Sequence, residues 1–322
     1  MELKKEIFPI DFDVLDVAYG LAGGALLGPY LAGVLIAHSQ IKLFQKANLL
    51  MGTSVGAATG AVAAFDWKKL KPLWENIKTS KDVWKGDLNN QFSNVWGALF
   101  CDSILDPAPF YSILENLFGN MSILDVAKIN DIELIFPAVN NNTHQLQYFS
   151  SFDETKNIMI KKIIAASAGI PIGLKSVPIL MPDGSTQWFS DGGVGANNPF
   201  VSVHKYNKAF PKHKVKKLIL IFCGGDAPAV DNKKYKLARD VGLNQIFTSL
   251  EIQEQVSNDF AEMITDYGVM DVCAIYRKGG LGDSMKADPT RLLKGYEDGV
   301  SMKVWDYRTE SEIGLMDFIK RK

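Results

Sequence analysis

The sequence predicts an α/β protein with a mainly parallel sheet, because strand, turn and helix follow one another twice before residue 66. A short apolar strand at residues 16–20 leads through Gly23-Gly24 to a helix, with Pro29 suited to its first turn. A second apolar strand at 49–51 leads to Gly52-Thr53-Ser54-Val55-Gly56 and an alanine-rich helix. Residues 218–222 form an unbroken apolar run, which is typical of a parallel strand buried on both faces.

The rest of the chain predicts further elements around this sheet. Residues 66–120 carry four tryptophans (Trp67, Trp74, Trp84 and Trp96), and we interpret the segment as a helical insertion that could cover a site. The pattern also predicts a hairpin at 134–149, a helix at 161–168, strands at 177–181 and 186–189, a long helix at 235–266 and a strand at 272–276. No repeat or linker divides the sequence, so we expect one domain over residues 1–322, with the motifs within 14–225.

Composition and charge exclude several classes of partner. The chain has 35 basic and 36 acidic residues, so it lacks the basic field that binding to nucleic acid requires. Its three cysteines, Cys101, Cys223 and Cys273, are too sparse for a disulfide framework or a zinc site. We expect no metal and no other cofactor.

No apolar signal segment follows the first lysines, so a cytoplasmic location or peripheral membrane contact is expected, with signal-independent secretion left open. The sequence does not indicate an oligomeric state.

Two uncharged stretches suggest a competing interpretation. Residues 17–41 and 47–65 contain no Asp, Glu, Lys or Arg, and each is long enough to span a bilayer. Glycines four positions apart in both stretches resemble a packing face between membrane helices. However, the stretches are rich in glycine, alanine and other small residues, which insert weakly into membranes. The α/β interpretation is therefore preferred over two membrane spans.

The Gly-x-Ser-x-Gly pattern at residues 52–56 points to a nucleophilic serine. A serine hydroxyl needs a nearby base and hydrogen-bond donors for the oxyanion that forms when it attacks a carbonyl. This pattern places serine on a sharp strand-to-helix turn, and an apolar strand and a helix flank it here. Ser54 is the candidate nucleophile, and the Val55 N–H at the helix N-terminus is a candidate oxyanion donor. The alternative is a buried serine in a glycine-mediated contact.

The base that would serve Ser54 is better sought among the acids than among the histidines. None of His38, His144, His204 and His213 lies in a glycine-rich loop, so a Ser-His-Asp triad is poorly supported. Asp191 follows a predicted strand and precedes Gly192-Gly193, which would let a substrate approach its carboxylate. An ordinary Asp-Gly turn is the alternative interpretation.

Three motifs in this order resemble those of the patatin-like phospholipases. They are residues 23–28, residues 52–56, and Asp191-Gly192-Gly193 with Asn197-Asn198-Pro199, and the resemblance covers roughly residues 14–225. It implies a three-layer α/β/α sandwich and a Ser54–Asp191 dyad without histidine. It also implies that the N–H groups of Gly23, Gly24 and Ala25 bind the oxyanion, and that the substrates are lipid or phospholipid acyl esters.

The sequence departs from the family pattern at two positions of the first motif. Ala25 stands where a third glycine is usual; its N–H remains usable provided that the residue need not adopt a positive φ. Leu27 stands where a basic residue could contact a lipid phosphate or brace the loop. The departure at Leu27 weakens the expectation of phospholipid specificity more than that of ester hydrolysis. Leu27 also motivates a non-catalytic lipid or acyl-chain binder as an alternative to a lipid acyl hydrolase. An acyltransferase is a further alternative, because it would need the same serine and sequence does not distinguish it from a hydrolase.

Overall fold

The computed structural model describes residues 16–86, 103, 105–171, 173–198, 202–223, 259–277, 281 and 287–321. Their core is a ten-stranded mixed sheet with strand order β10-β9-β8-β7-β1-β2-β3-β6-β5, and β4 pairs with β3. The five strands from β8 to β3 in this order are parallel. Helices flank the sheet, which confirms the predicted α/β class.

The strands are β1 Val17–Leu21, β2 Leu49–Gly52, β3 Glu133–Asn140, β4 Gln145–Ser150, β5 Val177–Leu180, β6 Thr186–Asp191, β7 Lys217–Ile221, β8 Asp271–Ile275, β9 Lys303–Asp306 and β10 Ser311–Gly314. The helices are α1 Gly28–Gln40, α2 Val55–Asp66, α3 Leu70–Asn76, α4 Ala108–Phe118, α5 Ile123–Asn130, α6 Ile160–Ser167, α7 Gly193–Ala196, α8 Val203–Ala209, α9 at 259–266, α10 Thr290–Ser301 and α11 Leu315–Lys320.

The sheet is buried on both faces, because alternate residues of its central strands belong to different hydrophobic clusters. In β1, Tyr19 and Leu21 pack in the larger cluster with α1, α2 and α6. Ala18, which directly precedes Tyr19, packs in a second cluster that contains residues of α8 and α9. Successive side chains of a strand point to opposite faces of the sheet, and an apolar layer covers each face. This explains why β1 and β2 contain no charged residue.

The two long uncharged stretches therefore do not form membrane spans. Each stretch divides into a strand and a helix, of 13 residues in α1 and 12 residues in α2. Among the described residues, no helix is both long enough and apolar enough to cross a membrane. Their lack of charge follows from burial in the two clusters of the core.

Most predicted elements are confirmed. Two predicted segments lie partly outside the described residues, and several helices and strands were not predicted. Of the predicted helix at 235–266, residues 259–266 are helical and the others lie outside the described residues. The described part of the segment 66–120 contains α3 and α4, while Trp96 lies outside it. The sequence analysis missed the helices α5, α7 and α8 and everything after β8, namely α10, β9, β10 and α11.

Candidate active site

Strand register brings the ends of β2 and β6 to the same level of the sheet. Met51 in β2 pairs with Ile135 in β3, and Asp191 in β6 pairs with Ala138 in β3. At Ile135 and at Ala138, β4 pairs with one edge of β3. The strands β2 and β6 therefore pair one after the other with the opposite edge. Ser54 lies three residues beyond Met51, so it comes level with Ala138 and with Asp191.

The side chains of Ser54 and Asp191 meet in this gap between the two strand ends. The Ser54 hydroxyl donates a hydrogen bond of 2.9 Å to Oδ2 of Asp191, across 137 positions of sequence. Both residues are buried, with 6% and 5% of their surfaces exposed. Among the described contacts of either residue, none involves a histidine. His38 instead lies in the core, bonded to the Tyr19 hydroxyl at 2.8 Å, and burial lowers its pKa to about 4.

Ser54 has the strained backbone of a sharp strand-to-helix turn. Its φ is 55° and its ψ is −122°, a conformation that costs a residue with a side chain about 1–3 kcal/mol. The flanking glycines permit this turn to pack tightly: a Cβ on Gly56 would lie 2.4 Å from the Leu21 carbonyl oxygen. The turn exposes the start of α2, so the Val55 N–H has no partner within its helix.

The charge state of Asp191 is set mainly by its burial. Burial raises the pKa of Asp191 to about 7, although the Gly193 N–H and the Ser54 hydroxyl donate to the carboxylate and favour its charged form. The Gly193 bond to Oδ1 is 2.7 Å, which leaves Oδ2 for Ser54. A carboxyl with a pKa near neutrality can accept and return a proton at physiological pH.

Ser167, which the sequence analysis did not single out, connects the two residues. It is fully buried at the end of α6, and its hydroxyl oxygen accepts the Ser54 N–H at 3.1 Å. Its carbonyl accepts the Gly192 N–H at 3.2 Å, and the carbonyl of Gly169 accepts the Asp191 N–H at 2.9 Å. The only signal was the short Ala166-Ser167-Ala168 stretch, which gives no indication of what the hydroxyl contacts.

The candidate oxyanion donors differ in whether their N–H groups are engaged. Gly23 donates its N–H to the Asn197 carbonyl at 3.1 Å, so it cannot serve an oxyanion while that bond stands. In the described part of the chain, the N–H groups of Gly24, Ala25 and Val55 donate to no other group. These three, rather than four, are the donors that this arrangement leaves open.

Ala25 does not meet the condition that the sequence analysis set for it. Its φ is 48°, in the left-handed region that favours glycine. An alanine there costs roughly 1–2 kcal/mol relative to an unstrained conformation. The loop therefore keeps a glycine-like conformation without the glycine, and contacts elsewhere must hold it in place.

An apolar pocket opens beside Ser54. Apart from the Ser54 hydroxyl, its described walls are almost entirely hydrocarbon and aromatic surface, and none of these residues carries a charge. Trp74 and Trp84, from the predicted insertion, are buried in its wall. The lining residues are Ala25, Leu26, Ser54, Val55, Ala58, Val62, Leu73, Trp74, Ile77, Val83, Trp84, Pro107, Phe110, Ile113, Leu114, Leu117, Ala168, Ile170 and Leu174. Such a pocket suits a hydrocarbon chain.

Comparison with known proteins identifies the family. Residues 21–204 match the family model described as patatin-like phospholipase. This match covers more than half of the chain, and the chain belongs to the patatin-like phospholipase family. Membership supports a lipid acyl hydrolase activity in general terms. The matched region includes the two strand-to-helix turns, Ser54 and Asp191, and it ends before β7.

A similar solved structure is VipD from Legionella pneumophila. It has 14% sequence identity to this chain and a TM-score of 0.45, and the alignment covers 95% of this chain and 66% of VipD. The chain thus spans slightly less than two thirds of the length of that protein. No curated protein sequence matches the chain.

Proposed function

We propose that this protein is a lipid acyl-ester hydrolase with Ser54 as nucleophile and Asp191 as its proton acceptor. The observation that carries the proposal is the 2.9 Å bond from the Ser54 hydroxyl to a buried carboxylate, beside an apolar pocket. Family membership supports the general activity, and the dyad is the finer claim. The experiments that test it are substitutions of the two residues, together with the two measurements below.

The reaction proceeds through an acyl-enzyme. Ser54 Oγ attacks the ester carbonyl carbon while its proton passes to Asp191 Oδ2, and the carbonyl oxygen becomes an oxyanion. The N–H groups of Gly24, Ala25 and Val55 are the donors proposed to stabilise that oxyanion. The C–O bond to the alcohol then breaks, and Asp191 returns the proton to the leaving oxygen. Water attacks the acyl-enzyme while Asp191 accepts its proton. Asp191 then returns that proton to Ser54 Oγ as the bond to the acyl carbon breaks and the fatty acid forms.

The apolar pocket is proposed to hold the acyl chain, so filling it should shorten the chains that the enzyme accepts. Val62 lies two turns along α2 from Ser54, about 12 Å at 1.5 Å per residue. We expect Val62→Phe to lower kcat/KM for a p-nitrophenyl decanoate by about tenfold or more. Turnover of the acetate ester should change less than about twofold, because its acyl group does not reach Val62.

The matched control is Val269→Phe, which makes the same change in size at a residue that is 68% exposed. It should leave both esters unaffected. If Val62→Phe lowers acetate and decanoate turnover equally while the protein stays folded, the pocket is not the acyl site.

The pKa of Asp191 predicts how hydrolysis depends on pH. Asp191 must be ionised to accept the proton, and burial raises its pKa to about 7. We therefore expect kcat/KM to fall about tenfold for each pH unit below about 7 and to level off above it. A pH-rate profile with a neutral ester measures this. A flat profile between pH 5 and pH 8 would argue against Asp191 as the base.

A further inference from the structure

Arg291 is a buried cation that binds the loop before α1. It lies in the first turn of α10 with 2% of its surface exposed, well beyond the matched family region. Its Nη1 donates to the Leu26 carbonyl at 3.1 Å, and its Nε donates to the Leu281 carbonyl at 3.0 Å. Asp288 lies 3.9 Å from Nε. A buried charge is costly unless it is hydrogen-bonded, and these two carbonyls offset that cost for the guanidinium.

The carbonyl that Arg291 binds belongs to the loop that supplies the candidate oxyanion donors. Leu26 is the middle residue of a short 3₁₀ turn, Ala25–Leu27, which the Leu27 N–H closes on the Gly24 carbonyl at 2.9 Å. In so tight a turn, a restraint on the Leu26 carbonyl also limits how the Gly24 and Ala25 N–H groups can tilt. Residues 23–28 contain no Lys or Arg of their own.

The loop needs such a restraint because Ala25 is strained. A residue with a side chain stays at positive φ only when its surroundings hold it there. One described backbone hydrogen bond lies within the loop, from the Leu27 N–H to the Gly24 carbonyl. From outside the loop, the Asn197 carbonyl holds the Gly23 N–H, and the guanidinium adds a further fixed point at the Leu26 carbonyl.

Helix α10 is itself anchored, which makes Arg291 a rigid support. It packs so closely on α1 that a Cβ on Gly295 would lie 2.0 Å from the Tyr30 carbonyl oxygen. The Tyr30 hydroxyl donates to Asp298 at 3.1 Å, and Arg277 donates to the same carboxylate at 3.3 Å. The guanidinium is therefore held in position relative to the start of α1, which directly follows the loop.

We propose that Arg291 is a positioning residue that holds the oxyanion loop in its working conformation. This inference rests on the proposed hydrolase function, and it gives the segment after β8 a role in the reaction. Donors that stabilise the transition state must be aligned before the oxyanion forms. A loosened loop should therefore lower kcat much more than it changes KM.

The test uses Arg291→Lys and Arg291→Met in the full-length protein, with a p-nitrophenyl acetate assay and thermal unfolding. Lysine keeps the charge and most of the length but lacks the planar fork, so it cannot serve both carbonyls in the same geometry. We expect kcat to fall about 10-fold in the lysine variant and about 100-fold in the methionine variant. KM should stay within about twofold of its original value.

Arg321→Met is the matched control, because it removes an arginine side chain that bonds Asp306 and contacts neither the loop nor α10 in any described hydrogen bond. It should lower the unfolding temperature and leave kcat unchanged. An equal fall of kcat in the Arg321 variant would overturn the inference, as would a folded Arg291→Lys variant with full kcat. If the methionine variant does not fold, the lysine variant decides. Absence of Ser54-dependent turnover in the unsubstituted protein would instead count against the proposed function.

Discussion

Replacing Ser54 by alanine is expected to lower kcat for a short-chain ester by about 10⁴-fold or more. The substitution removes the only atom proposed to attack the carbonyl, and losing a nucleophile of this kind costs up to about 10⁶-fold. The fold should survive, because the hydroxyl makes one described side-chain bond, to Asp191, and alanine needs no more space. The assay measures p-nitrophenyl acetate turnover and covalent labelling by a fluorophosphonate.

A second buried serine provides the control for this experiment. Ser39 in α1 is 3% exposed, and its hydroxyl has no hydrogen-bond partner in the described structure. Ser39→Ala should therefore keep full turnover and full labelling. If Ser54→Ala keeps its turnover, another residue is the nucleophile. If the unsubstituted protein shows neither turnover nor labelling, a non-catalytic lipid or acyl-chain binder becomes the better account.

The pairing of Ser54 with Asp191 could be predicted from sequence because each residue lies in a local pattern of its own. A strand, a sharp turn with glycines and a helix surround Ser54, and a strand end with two glycines surrounds Asp191. What the patterns could not provide is the reason that they meet. That reason is the pairing of β3, which has β2 as its neighbour up to Ile135 and β6 on the same edge from Ala138, at the level of Ser54.

The supporting residues could not be predicted, because their contacts cross long stretches of sequence and use groups without a recognisable pattern. Ser167 lies 113 positions from Ser54 and contacts its backbone N–H. Arg291 lies 265 positions from Leu26 and contacts its carbonyl. Any residue has these backbone groups, so no motif marks the partner. The positive φ of Ala25 was hidden for the same reason, since alanine gives no sign of it.

The structure changes the interpretation of Leu27, which stands where the family pattern has a basic residue. Leu27 is buried in the hydrophobic core, so it does not offer a contact to a lipid phosphate. The bracing of the loop comes from Arg291 instead. The two roles that a basic residue in the loop could combine are thus separable, and only the bracing role has a substitute among the described residues.

Replacing Asp191 by asparagine is expected to lower kcat about 10²- to 10⁴-fold while making the protein more stable at alkaline pH. Asparagine cannot accept the proton of Ser54. It can still accept the Gly193 N–H through its oxygen, and its amide can face the Ser54 hydroxyl, so the site should stay assembled. The two effects have one cause, which is the burial of a carboxyl that must ionise.

The sign of the stability effect follows from the direction of the pKa shift. The folded protein holds the Asp191 proton up to about pH 7, whereas the unfolded chain releases it near the ordinary aspartate pKa of about 3.9. Between these values the folded state binds more protons, so its stability falls as the pH rises, by about 1.4 kcal/mol per pH unit. Over the whole interval the loss is roughly 4 kcal/mol. Asparagine does not titrate, so the variant escapes this loss.

Urea unfolding at pH 5 and at pH 8 measures the difference. Asp191→Asn should gain stability relative to the unsubstituted protein between the two pH values, by about 1–3 kcal/mol. Asp306→Asn is the contrasting control. Burial alone would raise the pKa of Asp306, but bonds from Arg321 and Thr309 outweigh it and hold the pKa below its usual value.

Asp306 therefore stabilises the folded state above the pKa of the unfolded chain, and this contribution is lost as the pH falls through its lower folded value. Its asparagine variant should be less stable at both pH values, without the alkaline gain. An Asp191 variant that shows no gain at pH 8 would mean that the carboxyl already ionises well below neutrality. It would then be too weak a base for the proposed proton transfer, since a carboxylate that accepts the serine proton efficiently must cost the folded protein stability when it is charged.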